Sequence, residues 1–233
     1  MNWFLAESRV LRFASFAIYY IAQGLPIGLL SIALPAWLSE QGVAATDIAY
    51  FIAISGLPWA FKLVAGPIMD RFSFLAMGRR RPWIVSSQIG LLIAMVVLSL
   101  VPDPVNQIEL LTWAAFAVNC FAAVQDVAVD GMAIDILPED ERGRANSFMA
   151  FGQVSGYAAS GALSALALVE FGLFGAGLFQ TLGLLLIFVW GVVVRERKGE
   201  RLLPWTEGAA LPRSVTLQAD NWLTIVNDLR QQN

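Results

Sequence analysis

The sequence predicts an all-α membrane protein, in which six transmembrane helices form one bundle and both termini lie in the cytoplasm. Hydrophobic residues make up 58% of the 233 residues, charged residues only 14%, and the mean hydropathy is +0.65. Soluble domains contain roughly 25% charged residues, so this composition excludes a soluble protein. Apolar runs of about 18 or more residues, each long enough to cross a bilayer, recur along the chain. Among the connections between these runs, only alternate ones contain lysine or arginine.

The apolar runs are predicted to be helices, because backbone polar groups inside a bilayer must be satisfied within the protein. A membrane strand would alternate polar and apolar residues and would be about half as long. Residues 1–12 then form a cytoplasmic N-terminus, 13–194 the six-helix bundle and 195–233 a cytoplasmic linker. The predicted spans, in order, are 13–35, 47–69, 83–102, 109–136, 145–169 and 173–194.

The orientation follows from the positively charged residues. The predicted loops after spans 1, 3 and 5 contain no lysine or arginine. By the positive-inside rule, the opposite side is cytoplasmic, and all three of its connections agree. The basic residues on that side are Arg9, Arg12, Arg71, Arg79, Arg80, Arg81, Arg142, Arg144, Arg195, Arg197, Lys198 and Arg201.

The end of the linker has the pattern of an amphipathic helix. Asp220 or Asn221 is placed to cap it at its start. Such a helix can lie on the inner face of the membrane. The alternative is an ordinary linker whose apolar face packs on something outside this chain. The apolar residues at helical spacing are Trp222, Ile225, Val226 and Leu229.

Three charged residues are predicted to lie deep in the bilayer. Lys62 precedes Asp70 by eight residues, which places it roughly 12 Å inside the inner boundary. Asp126 and Asp130 precede Pro138 by twelve and eight residues, which gives depths of roughly 18 and 12 Å. The two aspartates share one helix face, and an unpaired charge at such depth costs about 2.5–3.5 kcal/mol. We expect Lys62 to pair with one aspartate and the other to find a donor or carry a proton. Intramembrane ionisable residues favour a functional site over a purely structural ion pair.

Amide side chains also occur within the predicted spans. Gln23 and Gln125 are candidates to line a pathway together with the charged residues. Interhelical hydrogen bonding is the alternative role for all such amides. The others are Gln88, Asn119 and Gln153.

Helix breakers and small residues mark two further features. Gly24 and Pro26 in span 1, and Gly56 and Pro58 in span 2, form Gly-x-Pro motifs, and a proline inside a helix bends it. In span 5 the motif Gly152-x-x-x-Gly156 predicts a face for close packing against another helix.

Several classes of protein are excluded. The chain contains no histidine, the commonest proton shuttle and metal ligand, and its one cysteine, Cys120, lies in an apolar run. The sequence shows no nucleophile–base pair, phosphate-binding loop or basic arm. We therefore expect no enzymatic activity, no cofactor, no metal and no nucleic-acid partner.

The connection between spans 2 and 3 reads Gly66-Pro67-Ile68-Met69-Asp70-Arg71 and then Gly78-Arg79-Arg80-Arg81-Pro82-Trp83. These segments resemble the signature loop of the major facilitator superfamily. In that loop a glycine and an Asp-Arg pair leave helix 2, and Gly-Arg-Arg enters helix 3. The acidic residue at a helix end can bind the arginines and fix one arrangement of the inner face.

Five extra residues, 73–77, lengthen this loop in a way that resembles one branch, the AmpG-type muropeptide permeases and acetyl-CoA transporters. The resemblance covers about residues 15–195. Three other segments are similar to the same branch: Gly56-Leu57-Pro58-Trp59-x-x-Lys62, Gln125-Asp126-x-x-x-Asp130 and Leu137-Pro138-Glu139-x-x-Arg142-Gly143.

The resemblance implies a solute carrier of twelve helices, in which two six-helix bundles of 3+3 repeats rock around a central cavity. Members of the branch import cell-wall sugar-peptides or move acetyl-CoA, the bacterial ones with protons. It implies that Lys62, Asp126 and Asp130 are cavity charges. The proline motif of antiporters is not seen in span 5, which leaves uniport or symport. The residues that would form the inner gate are Gly66, Asp70, Arg71, Gly78, Arg79, Arg80 and Arg81.

One bundle cannot perform alternating access alone, so a second bundle is the expected partner, beside membrane lipid and a small-molecule solute. It would be the missing C-terminal half, a separate chain or a second copy. The leading hypothesis is the N-terminal half of a secondary transporter in the bacterial inner membrane, which moves a polar or anionic solute such as a muropeptide-like or acyl-CoA-like compound. The alternative is a non-transporting half-carrier that acts as a structural or assembly subunit of a larger membrane complex.

Overall fold

The computed structural model describes residues 3–217, and every regular element in this range is helical. Phe4 and Arg195 form an isolated β-bridge beside the bundle. The all-α class predicted from the sequence is therefore confirmed for these residues, while the predicted amphipathic helix over 220–232 lies outside them. The α-helices are α1 (Arg9–Gly28), α2 (Leu34–Glu40), α3 (Ala45–Gly56), α4 (Lys62–Arg71), α5 (Arg81–Ser99), α6 (Ile108–Ile136), α7 (Glu139–Val193) and α8 (Pro212–Leu217).

The first apolar run is helical throughout. Ser8 caps α1, with its hydroxyl accepting from the Leu11 backbone N–H at 3.3 Å. A turn of π-helix, Leu29–Ala33, joins α1 to α2. Pro26 lies inside α1, and the irregular turn follows it within one helical turn. Single π-helical turns are a recognised way for a helix to accommodate such an interruption.

The second apolar run is broken where the sequence predicts a bend. Helix α3 ends at Gly56, a 3-10 turn covers Leu57–Trp59, and α4 begins at Lys62. Pro58 has no N–H to continue the α-helical bonding and its ring excludes the preceding carbonyl, so the helix is interrupted here. The break sets the direction of the short helix that carries Lys62.

Helix α7 is a helical hairpin. Gly172 within it has φ 65° and ψ −166°, which is not helical. On either side of it, Gln180 Nε2 donates to Ser160 Oγ at 2.5 Å and to Ser164 Oγ at 2.7 Å. Residues twenty apart in a straight helix would be about 30 Å apart, so the chain reverses at Gly172. The predicted boundary between spans 5 and 6 therefore coincides with one glycine.

The helical runs have the length and polarity of membrane spans. The number of crossings and the orientation of the termini stay predictions. Within the described residues, the segments that are long and apolar enough to cross a membrane are Arg9–Glu40, Ala45–Arg71, Arg81–Ser99, Ile108–Ile136 and the hairpin Glu139–Val193.

Helices α1 and α7 approach each other closely along glycine faces. A Cβ on Gly24 would lie 2.5 Å from the Gln153 carbonyl oxygen and 2.6 Å from the Tyr157 nitrogen. A Cβ on Gly156 would lie 2.9 Å from the Ile21 carbonyl oxygen. Side chains at these positions would force the backbones apart, so the predicted close-packing face of Gly152-x-x-x-Gly156 is confirmed.

The second run is the least covered by the rest of the bundle. Only 17% of the apolar window of Ala45–Arg71 is buried, compared with 61% for Arg9–Glu40. Its most exposed apolar side chains are Phe61, Leu63 and Val64, at 67%, 82% and 61%.

Candidate functional site

An ion pair joins α4 to α6 in the interior of the bundle. Lys62 Nζ donates to Asp126 Oδ2 at 2.9 Å. The Asp126 side chain is 6% exposed, whereas that of Lys62 is 40% exposed. The carboxylate is therefore shielded by the helices, and the lysine covers it from the open side.

Asp130 lies one turn further along α6 and has a different partner. Its Oδ1 accepts a hydrogen bond from the Tyr20 hydroxyl of α1. Within residues 3–217, Asp130 forms no ion pair. Tyr20 could not be predicted as a partner, because neither helix alone encodes the rotation of α1 relative to α6. The two aspartates thus share a face but have unlike surroundings, one beside a cation and one beside a phenol.

A hydrogen-bonded chain of uncharged groups continues from the ion pair. Trp59 Nε1 donates to Asn119 Oδ1 at 2.9 Å, and Asn119 Nδ2 donates to the Ser55 carbonyl at 2.7 Å. Lys62 Nζ lies 5.8 Å from the centroid of a Trp59 ring. The Ser55 carbonyl precedes the break in the helix, and Asn119 supplies a donor there, as buried irregular backbone requires.

These groups border a cavity of about 240 Å³ between α1, α3 and α6. Its polar lining comes from Ser31, Ser55, Trp59 and Asn119, and the remaining lining is mainly aliphatic. A small apolar cavity with a few converging polar groups is the usual form of a solute site.

The two glutamines predicted to line a pathway are fully buried at helix contacts. Gln125 Nε2 donates to the Tyr19 carbonyl at 3.3 Å, and Gln23 Oε1 accepts from Gln153 Nε2 at 3.4 Å. This geometry fits the alternative role of interhelical hydrogen bonding. Gln23 Nε2 and Gln125 Oε1 have no hydrogen-bond partner among the described residues.

At one end of the bundle, four charged residues form what we name the gate cluster: Asp70, Arg79, Arg80 and Asp135. Arg79 bonds Asp70 at 2.7 Å and Asp135 at 2.6 Å. Arg80 bonds Asp70 as well, and its Nε lies 3.3 Å from Asp135 Oδ2. The cluster ties the end of α4 and the start of α5 to the end of α6. Asp135 was not among the predicted gate residues, because an acidic residue near a helix end is unremarkable in sequence.

The other predicted gate residues make separate contacts. Gly66 faces α6, where a Cβ would lie 3.9 Å from Val127 Cγ1. The Arg71 guanidinium carbon lies 5.6 Å from the centroid of the Phe72 ring. Arg81 is buried, and its guanidinium donates to backbone carbonyls at the end of α7 and in the chain after it rather than to an acid. Those carbonyls belong to Gly191, Val192, Arg201 and Leu202.

Glu196, which the sequence did not single out, closes the start of α5. Its carboxylate accepts the backbone N–H groups of Arg79, Arg80 and Arg81 at 3.0, 2.7 and 2.7 Å. A carboxylate is favoured there by the positive end of the helix dipole. Gly78 has φ 104°, and a Cβ on it would lie 2.7 Å from this carboxylate. The glycine of the signature is thus required by both conformation and space.

Glu200 lies beside Glu196 in the same segment, and both side chains are fully buried.

 Burial and then the charge of Glu196 raise the pKa of Glu200 to about 7, while the Arg197 backbone N–H, the Arg197 charge and the Ser214 hydroxyl act in the opposite direction. Arg197 Nη1 lies 3.5 Å from Glu196 and 3.9 Å from Glu200, and Nη2 donates to the Asp135 carbonyl at 3.4 Å. This network connects the segment after α7 to the gate cluster.

Comparison with known proteins gives consistent results. A family model described as the Major Facilitator Superfamily matches residues 15–230. The chain is 32% identical over 176 residues to the anhydromuropeptide permease of Escherichia coli strain K12, which covers 76% of this chain and 35% of the permease. It is 35% identical over 126 residues to an uncharacterized protein of Haemophilus influenzae, which covers 53% of this chain and 29% of that protein.

A third relative is an uncharacterized membrane protein of Saccharomyces cerevisiae, 28% identical over 175 residues, which covers 66% of this chain and 31% of the yeast protein. The chain therefore spans about a third of the length of the curated relatives it matches. The predicted resemblance to the AmpG-type branch is confirmed, as is the predicted location in the bacterial inner membrane. The apolar helices, the signature loop and the match over residues 15–230 together show that this chain belongs to the Major Facilitator Superfamily.

Proposed function

We propose that this chain is the N-terminal half of a proton-coupled secondary transporter, which moves a polar or anionic solute by alternating access. The observation that carries the proposal is the unequal environment of two neighbouring acids. Asp126 is neutralised by Lys62, whereas Asp130 is held by the Tyr20 hydroxyl and has no ion pair within residues 3–217. An acid in the membrane without a cation is costly to ionise, which makes it suited to carry a proton.

We assign Lys62 to binding an anionic group of the solute. Its amine is bonded to Asp126 on one side and is 40% exposed on the other, so it can meet an anionic group without giving up its partner. Trp59 and Asn119 border the adjacent cavity and offer an indole face and an amide for a neutral part of the solute. Sites of this kind orient a ligand with a few polar groups on an apolar lining.

The second bundle is part of the proposal. Alternating access requires one bundle to move against another around a fixed site. The curated relatives are about three times as long as the region they share with this chain. The poorly covered segment Ala45–Arg71 supports a partner, since it carries the most exposed apolar residues next to Lys62. That partner is the remainder of a longer protein, a separate chain or a second copy.

We assign the gate cluster to the cytoplasmic side, where it would hold one arrangement of the inner face. Two arginines shared between Asp70 and Asp135 fix the ends of three helices. Such charge pairs can be broken and remade when a second bundle approaches, so the cluster is suited to a two-state element. The basic residues on this side support the cytoplasmic assignment.

The solute is proposed from the relative's name. The Escherichia coli protein is called an anhydromuropeptide permease, and this chain shares 32% identity with it over 176 residues. A muropeptide-like solute, or an acyl-CoA-like one, has the mixture of polar, anionic and apolar parts that the site groups could contact. Transport rather than catalysis is supported by the family and by the name of this relative.

The test is uptake into proteoliposomes that contain the chain together with any membrane protein that co-purifies with it. Radiolabelled anhydromuropeptide is offered with and without an inward proton gradient. We expect the gradient to stimulate uptake, Asp130→Asn to abolish the stimulation and Asp126→Asn to lower uptake itself. Glu109→Gln, an exposed acid at the start of α6, is the matched control and should behave like the parent.

Gradient-stimulated uptake that is unchanged in both aspartate variants would remove their role in coupling. Co-purification with other proteins at fixed stoichiometry, without flux under any condition, would instead support the structural or assembly subunit.

A further inference from the structure

A second cavity lies between α6 and α7, on the Asp130 side of the ion pair. We name it the α6–α7 cavity. Its volume is about 360 Å³, within the range of small-molecule sites. Three of its lining residues are polar, namely Asp130 from α6 and Arg142 and Asn146 from α7, and the others are apolar. An acid, a guanidinium and an amide therefore face one space.

Arg142 is exposed and, like Arg144, does not hold the fold. Within residues 3–217 it makes no hydrogen bond and no ion pair, although it lines the cavity. Asn146 follows it by four residues and so lies on the same face of α7. Other arginines in the same region are used to hold the fold, each through side-chain bonds: Arg12, Arg79, Arg80, Arg81 and Arg197.

Asp130 leaves room for a group between itself and Arg142. Its Oδ1 accepts the Tyr20 hydroxyl, and its Oδ2 has no hydrogen bond among the described residues. Asp130 and Arg142 line the same cavity without forming an ion pair. Simple anchoring by the positive-inside rule accounts for the charge of Arg142 but not for its place in the lining of the same cavity as the half-buried Asp130.

We propose that the α6–α7 cavity binds an oxyanion group of the transported solute, a carboxylate or a phosphate, through Arg142 and Asn146. The inference rests on the proposed function and deepens it by assigning a second subsite. A guanidinium presents two parallel N–H donors that match either group, and the Asn146 amide adds a third donor on the same helix face.

The arrangement also couples binding of the oxyanion to protonation of Asp130. The charged and titratable groups around Asp130 are Tyr20 from α1, Asp126 from α6 itself, Lys62 from α4 through its pair with Asp126, and Arg142 from α7. An ionised Asp130 repels an oxyanion in the cavity, whereas a protonated Asp130 can donate a hydrogen bond to it. Proton and oxyanion therefore favour each other's binding, and this coupling is reciprocal.

The test is protection of a cysteine in the cavity wall, which needs no transport. The native thiol is removed by Cys120→Ser, and Ile134→Cys places a reporter on an apolar lining residue. Maleimide labelling of the purified full chain is timed with N-acetyl-L-alanine, with methyl phosphate and with neutral N-acetyl-L-alanine methylamide, at equal ionic strength. We expect at least one anion to slow labelling severalfold and the methylamide to have no effect.

In the same background, Arg142→Gln should abolish the protection, whereas Arg144→Gln, an exposed arginine outside the cavity lining, should keep it. Asp130→Asn should increase the protection by the anion. Labelling without any probe, together with the elution profile, shows that each variant is folded. Protection by neither anion, or equal protection after Arg142→Gln, would overturn the subsite. If neither anion protects but uptake is intact, the subsite is wrong and the transport function is unaffected. If an anion protects but there is no uptake, the transport function is wrong and the subsite is supported.

Discussion

Lys62 and Asp126 are 64 positions apart in the chain, yet Lys62 Nζ and Asp126 Oδ2 lie 2.9 Å apart. The pair joins a short helix that begins after a proline break to the middle of a long helix. Asp126 is almost fully shielded, so the lysine is the group that makes its ionised form tolerable there.

Lys62→Met should therefore destabilise the protein, because it leaves a buried carboxylate without its cation. We expect a loss of about 2 kcal/mol, less than the roughly 3–5 kcal/mol of a fully buried pair, since Lys62 is partly exposed. Thermal unfolding in detergent measures the effect. The double variant Lys62→Met with Asp126→Asn should recover most of the loss, and Lys198→Met, at an exposed lysine, should be neutral. A double variant less stable than Lys62→Met would contradict the pairing.

Gly78→Ala should destabilise the loop that carries the signature. The residue has φ 104°, and the added Cβ would lie 2.7 Å from the carboxylate of Glu196 that holds the start of α5. We expect a loss of about 2 kcal/mol from strain and from the weakened cap. Gly143→Ala is the matched control, because nothing lies within 4 Å of its Cβ position and alanine favours a helix. The prediction fails if the two variants have equal melting temperatures.

Gly24→Ala should separate α1 from α7. Its Cβ would meet backbone atoms of Gln153 and Tyr157 at 2.5 and 2.6 Å, and backbone cannot move aside as a flexible side chain can. Overpacking of this kind costs about 1–3 kcal/mol, and we expect the upper end. Gly56→Ala, at a glycine with open space around it, should melt within a few degrees of the parent. Equal effects of both substitutions would show that the helices can adjust.

Glu200 predicts a dependence of stability on pH. Because its pKa is raised from 4.5 to about 7 in the folded protein, the folded state binds more protons than the unfolded state between these values. The stabilising contribution is therefore complete below the lower value and is lost as pH rises through about 7. The melting temperature should fall over this window in the parent and fall less in Glu200→Gln. Glu207→Gln, at an exposed glutamate of the same segment, should keep the parent's slope.

A pair between Lys62 and one of the two aspartates could be predicted from the sequence, whereas the other neighbours of these residues could not. The fixed rise per residue predicts similar levels for Lys62, Asp126 and Asp130, so a pair with one aspartate was expected, but it does not select Asp126. Tyr20 was not predicted as the partner of Asp130, because hydropathy does not give the rotation of one helix against another. Asp135 and Glu196 were not predicted as site residues for a related reason. Their roles depend on how loops fold back on the bundle.

The boundary between the last two predicted spans shows the same contrast between what the sequence predicts and what depends on packing. Glu170 and Gly172 interrupt the apolar run, so the loop at 170–172 could be predicted from the sequence. That the reversal uses one glycine, and that Gln180 then bonds two serines of the opposite arm, depends on packing between the arms.

Arg81 and Glu196 fasten the chain beyond α7 to the first turn of α5, through carbonyls on one side and amides on the other. A force applied to the chain beyond Leu202 would therefore act on the start of α5 through these bonds as well as on the end of α7 along the backbone. Such a force would act on Arg79 and Arg80, which adjoin Arg81, and through their ion pairs on Asp70 and Asp135.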